Sequence, residues 1–201
     1  MSIPARISAS LTQSANAGQT TLFTVLFAAF CRVLHRSSGA QDLLVGTDVA
    51  CRDHTDLEDL IGFFVNLIPI RFTATAGSNW LGKVRESVLA AFQHRDLPFD
   101  EIVELTGTRR SRAHNPLVQV LFVLQNAPPA RIEIPGLAVE AVPAPAVHSK
   151  FDLAVFVTPA DGDLDVTWVY AESLYERETI ERLTREFSLL LEQLAGGSPC
   201  W

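Results

Sequence analysis

The side chains best able to do acid–base chemistry near neutral pH are five histidines: His35, His54, His94, His114 and His148. None stands in HExxH, HxxxH or HxH spacing, so no helix or strand would turn two of them toward one metal ion. Neither a GxSxG elbow, a phosphate-cradling P-loop nor a GxGxxG turn occurs. Cys31, Cys51 and Cys200 form no CxxC and cannot all pair, which supports neither a disulfide framework nor a zinc site. Cys31 falls in an apolar helix and reads as filler, and Cys51 lies in a loop where nothing nearby in sequence would depress its pKa. His94 ends a helix, where a bond to local backbone is the simple reading. His114 and Asn115, in a loop just before Pro116, are better binding candidates, because ligand contacts favour loops held by rigid strands. Lys150 and Asp152 begin a strand and read most simply as an exposed ion pair.

One cation stands out by its surroundings. The run IGFFVNLIPIRF, Ile61 to Phe72, is too short for a buried helix and suits a strand. At period 2, Val65, Leu67, Pro69 and Arg71 point one way and Asn66, Ile68, Ile70 and Phe72 the other. A guanidinium sharing a face with three apolar residues is expected to be buried and to need an acidic partner, since an unpaired buried ion costs several kcal/mol. The alternative is an Arg that snorkels to water at the strand end. Pro69 cannot donate to a ladder, which places the strand at an edge, a bulge or a crossover.

The elements that would hold these groups follow from periodicity. Residues 1–18 are small and polar with scattered Ile and Leu and are expected to be a weakly structured lead-in. LFTVLFAAFCRVLHRSSG reads as a buried helix capped by Thr20 or Thr21 and stopped by Ser37, Ser38 and Gly39. Asp42 to Val49 reads as a strand whose internal Gly46 marks a bulge or a close backbone approach. Ser78 or Asn79 would cap a helix carrying Leu81, Val84, Val88, Ala91 and Phe92, and Pro98 would open a short helix stopped at Gly107. Leu117 to Leu124 has the density of a central strand. LAVEAV, FDLAVFVT and DLDVTWVYA are three further strands, the last two joined by the hairpin signal PADGD. Arg177 to Ala195 is an amphipathic helix with Ile180, Leu183, Phe187, Leu190, Leu191 and Leu194 on one face. About six strands and four helices make an α/β fold, a mixed β-sheet flanked by helices, spanning residues 1–201 as a single domain.

Composition bounds the function. A net charge of −7 in 201 residues argues against nucleic acid, and Arg109, Arg110 and Arg112 form the only basic cluster. The longest apolar run, Leu22 to Phe30 with one Thr, is too short to span a membrane, and no signal-peptide layout opens the chain, so a soluble cytoplasmic protein is expected. Spacing alone names no reaction.

Four stretches, in order, nevertheless resemble the condensation domains of nonribosomal peptide synthetases, in the chloramphenicol acetyltransferase-like superfamily. IGFFVNLIPIR, Ile61 to Arg71, resembles that family's fifth core motif. HRDLPFDEIVE, His94 to Glu104, is similar to the sixth, and SRAHNPLVQVLFVLQN, Ser111 to Asn126, to the seventh. KFDL, Lys150 to Leu153, with the hairpin and Leu-rich helix after it, resembles the closing segment. Leu67 stands where the family usually has Thr, and Asp48 and Cys51 where it tends to have Pro and Gly.

The resemblance implies a chloramphenicol acetyltransferase-like lobe and amide-bond formation between aminoacyl or peptidyl thioesters. Those thioesters sit on carrier proteins, whose phosphopantetheine arms are the only prosthetic group implied; no cofactor belongs to this chain. The family's catalytic signature HHxxxDG has no counterpart, since no two histidines are adjacent here. The chain is therefore expected to be the C-terminal lobe alone, inactive by itself, associating with a complementary N-terminal lobe or with itself. Arg71 would be an inter-lobe anchor, half of a salt bridge to the missing Asp of that signature. Asn115, with His114 beside it, would be a substrate-binding residue near the acceptor side. A non-catalytic module that binds carrier proteins is the second reading, and an acyltransferase using His114 or His148 as base the third.

Overall fold

The computed structural model describes residues 1–52, 55–57, 60–74, 80–108, 111, 114–125, 136–137 and 150–197. Among them, six strands form one mixed sheet in the order β1-β6-β5-β4-β2-β3. The strands are β1 (Ser2–Ile3), β2 (Asp42–Ala50), β3 (Val65–Thr73), β4 (Val120–Leu124), β5 (Leu153–Ala160) and β6 (Asp163–Tyr170), and the helices α1 (Ala5–Ala17), α2 (Leu22–Ser38), α3 (Trp80–Gln93), α4 (Phe99–Leu105) and α5 (Arg177–Ala195). β2–β4 and β4–β5 are parallel, whereas β2–β3, β5–β6 and β1–β6 are antiparallel. This is the α/β mixed sheet expected.

Local chemistry explains most boundaries. Thr21 caps α2, its hydroxyl accepting the Thr24 N–H at 3.2 Å, and Gly39 closes the helix at φ 71, a left-handed turn that favours glycine. Every residue from Thr24 to Cys31 is buried, so α2 runs through the core with no solvent face on that stretch. Burial pushes the Cys31 thiol well above its ordinary pKa, as expected of filler. Asp161 and Gly162, at φ 48 and 92, make the two-residue turn of the β5–β6 hairpin. α5 buries the six residues that its periodicity picked out.

The first segment corrects its expectation. Residues 1–18 form β1 and α1, whose Ile7, Leu11 and Ala15 are buried; the stripe is narrow, but α1 lays it against α5 and β6. Asp163 ties the segment down by accepting the Ala5 N–H at 2.8 Å, one of the donors a helix start leaves unpaired. β4 begins at Val120 rather than Leu117, because Leu117 takes φ 60 immediately after Pro116 and cannot be extended. The LAVEAV strand, the Ser78 or Asn79 cap and the basic cluster lie wholly or mostly outside the described residues.

The helices pack toward one sheet face, where Val45, Ile70, Phe72, Phe122 and Val155 meet Phe27, Phe30 and Phe187. The opposite face carries a smaller cluster of Leu121, Val123 and Ala154 with Leu67, Phe151, Phe156 and Val169 packed around it. β3 is the edge strand that Pro69 demands, with Pro69 opposite Gly46. Gly46 marks a close approach rather than a bulge: the register runs unbroken past it, and a Cβ there would meet Val118 Cγ1 at 2.7 Å. No single helix among the described residues is long and apolar enough to cross a membrane.

Candidate functional site

Arg71 is neither buried nor unpaired. The face of β3 that it shares with Val65, Leu67 and Pro69 is the one turned away from the helices, and its side chain is 69% exposed. Register pairs Arg71 with Leu44 and Thr73 with Asp42, so Asp42 lies diagonally across on the same face. Their contact is bidentate, with Nε at 2.9 Å from Oδ1 and a terminal guanidinium nitrogen at 2.6 Å from Oδ2. Hydrogen bonds from Arg71 hold the Asp42 carboxyl below its ordinary pKa. The half-made salt bridge is thereby corrected: this chain supplies a carboxylate itself, 29 residues away in sequence.

His114 and Asn115 lie ahead of β4, toward the same amino end of the parallel strands. His114 is exposed, and its Nδ1 lies 3.2 Å from the Asn115 carbonyl. The Asn115 amide donates to the Lys150 carbonyl and so ties the approach to β4 to the approach to β5. Among the described residues nothing joins these two to Arg71, and His148 lies outside them. Among the described residues no group of three or more His, Cys, Asp or Glu could hold a metal ion.

A second feature of the motif containing Arg71 is structural. Asn66 faces the helix side of β3 and spends its amide on the α3–α4 link, donating to the Arg95 and Leu97 carbonyls at 2.7 and 2.8 Å. Its Oδ1 accepts the Phe99 N–H, the first of α4, at 3.2 Å. One side chain thus fixes the sixth-motif segment to the fifth.

A large concavity lies at the other end of the parallel strands. β2 and β4 pair at only two positions, Val45 with Val120 and Gly46 with Leu121, and then part. Between their carboxyl ends opens a groove of about 1040 Å³, walled by Thr47–Ala50, Leu124 and Gln125 and by side chains of α2 and α3. A crevice beyond the carboxyl ends of parallel strands is where open α/β sheets take ligands. Phe23, Val49, Val88, Phe92 and Leu124 make it largely apolar, and Thr24, Thr47 and Gln125 add polar atoms. Desolvation pushes the Asp48 carboxyl up from its ordinary pKa, although the side chain reaches solvent, and the Lys150 ammonium opposes that shift. A second hollow of about 730 Å³ adjoins it along α1 and α3, and Arg85 lines both without an ion pair among the described residues. Sequence reasoning missed this groove, because β2 and β4 are not adjacent in the chain and neither strand shows where it will diverge.

The sequence profile of the family described as "Condensation domain" matches residues 1–198. Tyrocidine synthase 3 of Brevibacillus parabrevis is 37% identical over 90% of this chain, and chondramide synthase of Chondromyces crocatus 40% identical over 82%. The chain spans only 3% and 4% of those two proteins. In three dimensions the X-domain from teicoplanin biosynthesis superposes with a TM-score of 0.88 and 28% identity, over 100% of this chain and 47% of that one. A four-domain nonribosomal peptide synthetase bound to AMP and glycine shares the fold at a TM-score of 0.87 and 21% identity, over 98% of this chain and 16% of that one.

Proposed function

The chain belongs to the condensation-domain family, and from that premise we propose that it supplies one lobe of an enzyme forming amide bonds between carrier-bound thioesters. In that reaction an acceptor amine attacks a donor thioester carbonyl, the C–N bond forms, the C–S bond breaks and the thiol leaves with a proton. The observation that carries the reading is a match along nearly the whole chain by a sequence with no adjacent histidine pair. This lobe then contributes wall and docking surface, and the complementary lobe bearing HHxxxDG contributes the catalytic histidine.

The groove at the carboxyl ends of β2 and β4 is the wall that would receive the reacting groups, being apolar and of a size for an acyl or aminoacyl group. Arg85, between the two hollows and without an ion pair among the described residues, suits the anionic arm that carries the thioester. Phosphopantetheine enters only as the carrier proteins' group. The exposed Asp42–Arg71 pair stands on the rim of the sheet as a charged unit, and anchoring to a second lobe would go through the pair rather than through a lone cation.

The test incubates donor- and acceptor-loaded carrier proteins with this chain, with and without a separately made lobe carrying HHxxxDG. Amide product is expected only with both lobes, and product from this chain alone overturns the proposal. A second reading is a non-catalytic binding module. It is supported by the 28% identity, over 98% of this chain, to an X-domain whose structure is described as a complex with OxyB. It predicts carrier binding that survives Arg71→Ala and no activity on adding the second lobe.

A further inference from the structure

Thr47 is buried at the head of the groove, 2% exposed, on the helix-facing side of β2 opposite Ile68. Its hydroxyl forms no side-chain hydrogen bond among the described residues, yet the residue lines the groove. Two other polar side chains of the lining are engaged: Thr24 meets the Thr21 hydroxyl at 2.9 Å, and Gln125 accepts from Thr158 at 3.1 Å. Among the described residues Trp168 Nε1 is the side-chain polar atom that is both sealed from solvent and without a partner, so the Thr47 hydroxyl, unpartnered within the chain, opens onto the groove it lines and keeps its donor and acceptor capacity for a guest.

The surrounding walls restrict what could meet that hydroxyl. Phe23, Val88, Phe92 and Leu124 offer apolar surface around it, and the charged residues of the lining are Asp48 and Arg85. A charged side chain would lose its hydration in the apolar part without gaining a counter-ion, whereas a bulky apolar one would lose nothing. We propose that Thr47 is a positioning residue whose hydroxyl hydrogen-bonds the carbonyl of an acyl or aminoacyl group, with that group's bulky uncharged side chain seated among Phe23, Val88, Phe92 and Leu124. This deepens the reading given above and rests on it for the claim that the guest arrives as a thioester. Thr47 would fix the carbonyl that the amine must reach, and the apolar walls would select the side chain.

The test uses N-acetylphenylalanine N-methylamide as probe and the corresponding glutamate derivative as its charged counterpart. Binding to the full chain is followed through methyl NMR signals. The phenylalanine probe is expected to shift Val49, Val88 and Leu124 and the glutamate probe to leave them unmoved. Thr47→Val should weaken binding roughly threefold to tenfold, the loss of one neutral hydrogen bond, and Thr47→Ser should restore it to within about twofold. Thr47→Val should also melt no lower than the wild type, because the change is nearly isosteric and breaks no side-chain hydrogen bond, so weaker binding cannot be blamed on unfolding. Equal affinity in Thr47→Val, or shifts confined to methyls outside the groove, overturns the inference. The two-lobe assay separates the two claims. If the wild type makes product and Thr47→Val makes it with unchanged KM and kcat, the inference fails and the reading stands. If no product forms but binding still depends on Thr47, the reading fails and the hydroxyl's role stands.

Discussion

Gly46 occupies one of only two register positions that join β2 and β3 to the other four strands, so crowding there strains the whole sheet. A Cβ on it would lie 2.7 Å from Val118 Cγ1 and 2.9 Å from Leu67 Cδ1. Carbon atoms rest at about 3.5–4.0 Å, so both neighbours must retreat by close to ~1 Å. Leu67, half-buried on edge strand β3, can rotate away, whereas Val118 is 0% exposed and cannot. Overpacking of this kind costs about 1–3 kcal/mol, and alanine's smaller unfolded-state entropy offsets about 0.5–1 kcal/mol of it. Gly46→Ala is therefore expected to lose about 1–2 kcal/mol, a fall in Tm of roughly 2–8 °C for a chain of this size. Urea and thermal melts followed by circular dichroism read both quantities. In the double variant with Val118→Ala, the two changes should cost less together than the sum of each alone, by about 1 kcal/mol. A Gly46→Ala protein that melts with or above the wild type, or a cycle without coupling, refutes the close-approach argument.

Three further outcomes follow from geometry already described. Asn66→Ala removes three hydrogen bonds to the main chain of the α3–α4 link and should cost about 2 kcal/mol or more, with faster proteolysis between Gln93 and Phe99; unchanged proteolysis there would show that the clamp is idle. The Asp42 carboxyl, lowered in the folded state by Arg71, adds stability that is present above its unfolded pKa of about 3.9 and is lost as pH falls through the lower folded value. Its NMR titration should move up in Arg71→Ala, while stability near neutral pH hardly changes because the pair is exposed and screened by solvent. A titration that does not move would deny the pairing. Arg85→Ala should raise KM for loaded carrier proteins in the two-lobe assay and leave kcat close to the wild-type value; a fall in kcat alone would place Arg85 elsewhere in the reaction.

The fold was legible wherever a local rule had a residue to act on. Thr21 and Gly39 bounded α2, Asp161 and Gly162 turned the hairpin, Pro69 sent β3 to the edge, and the Leu-rich stripe oriented α5. α1 escaped because ARISASLTQSANA offers only Ile7, Leu11 and Ala15 as a narrow stripe, and its helicity rests on tertiary contact with α5. The site was less legible for a related reason. Alternation along β3 assigned Arg71 to the correct set of neighbours, but which set faces the core depends on register with β2, and so does Asp42 as its partner. The groove and Thr47 depend on where two parallel strands separate, a property of the assembled sheet. The family's motifs were readable from residue identity alone, since they are long and occur in order.

The imino acid at position 69 also limits how this protein can assemble. The ladder passes through the Gly46–Pro69 pair unbroken although Pro69 has no N–H, so the main-chain groups of that pair turn away from each other. By the two-residue alternation, Val65, Leu67, Arg71 and Thr73 direct their N–H groups off the rim as well. A foreign strand laid along this rim finds its donor row interrupted at the midpoint, with a bulky ring in the gap. Templated growth into fibres from this side is thereby obstructed, while brief pairing at either flank stays open.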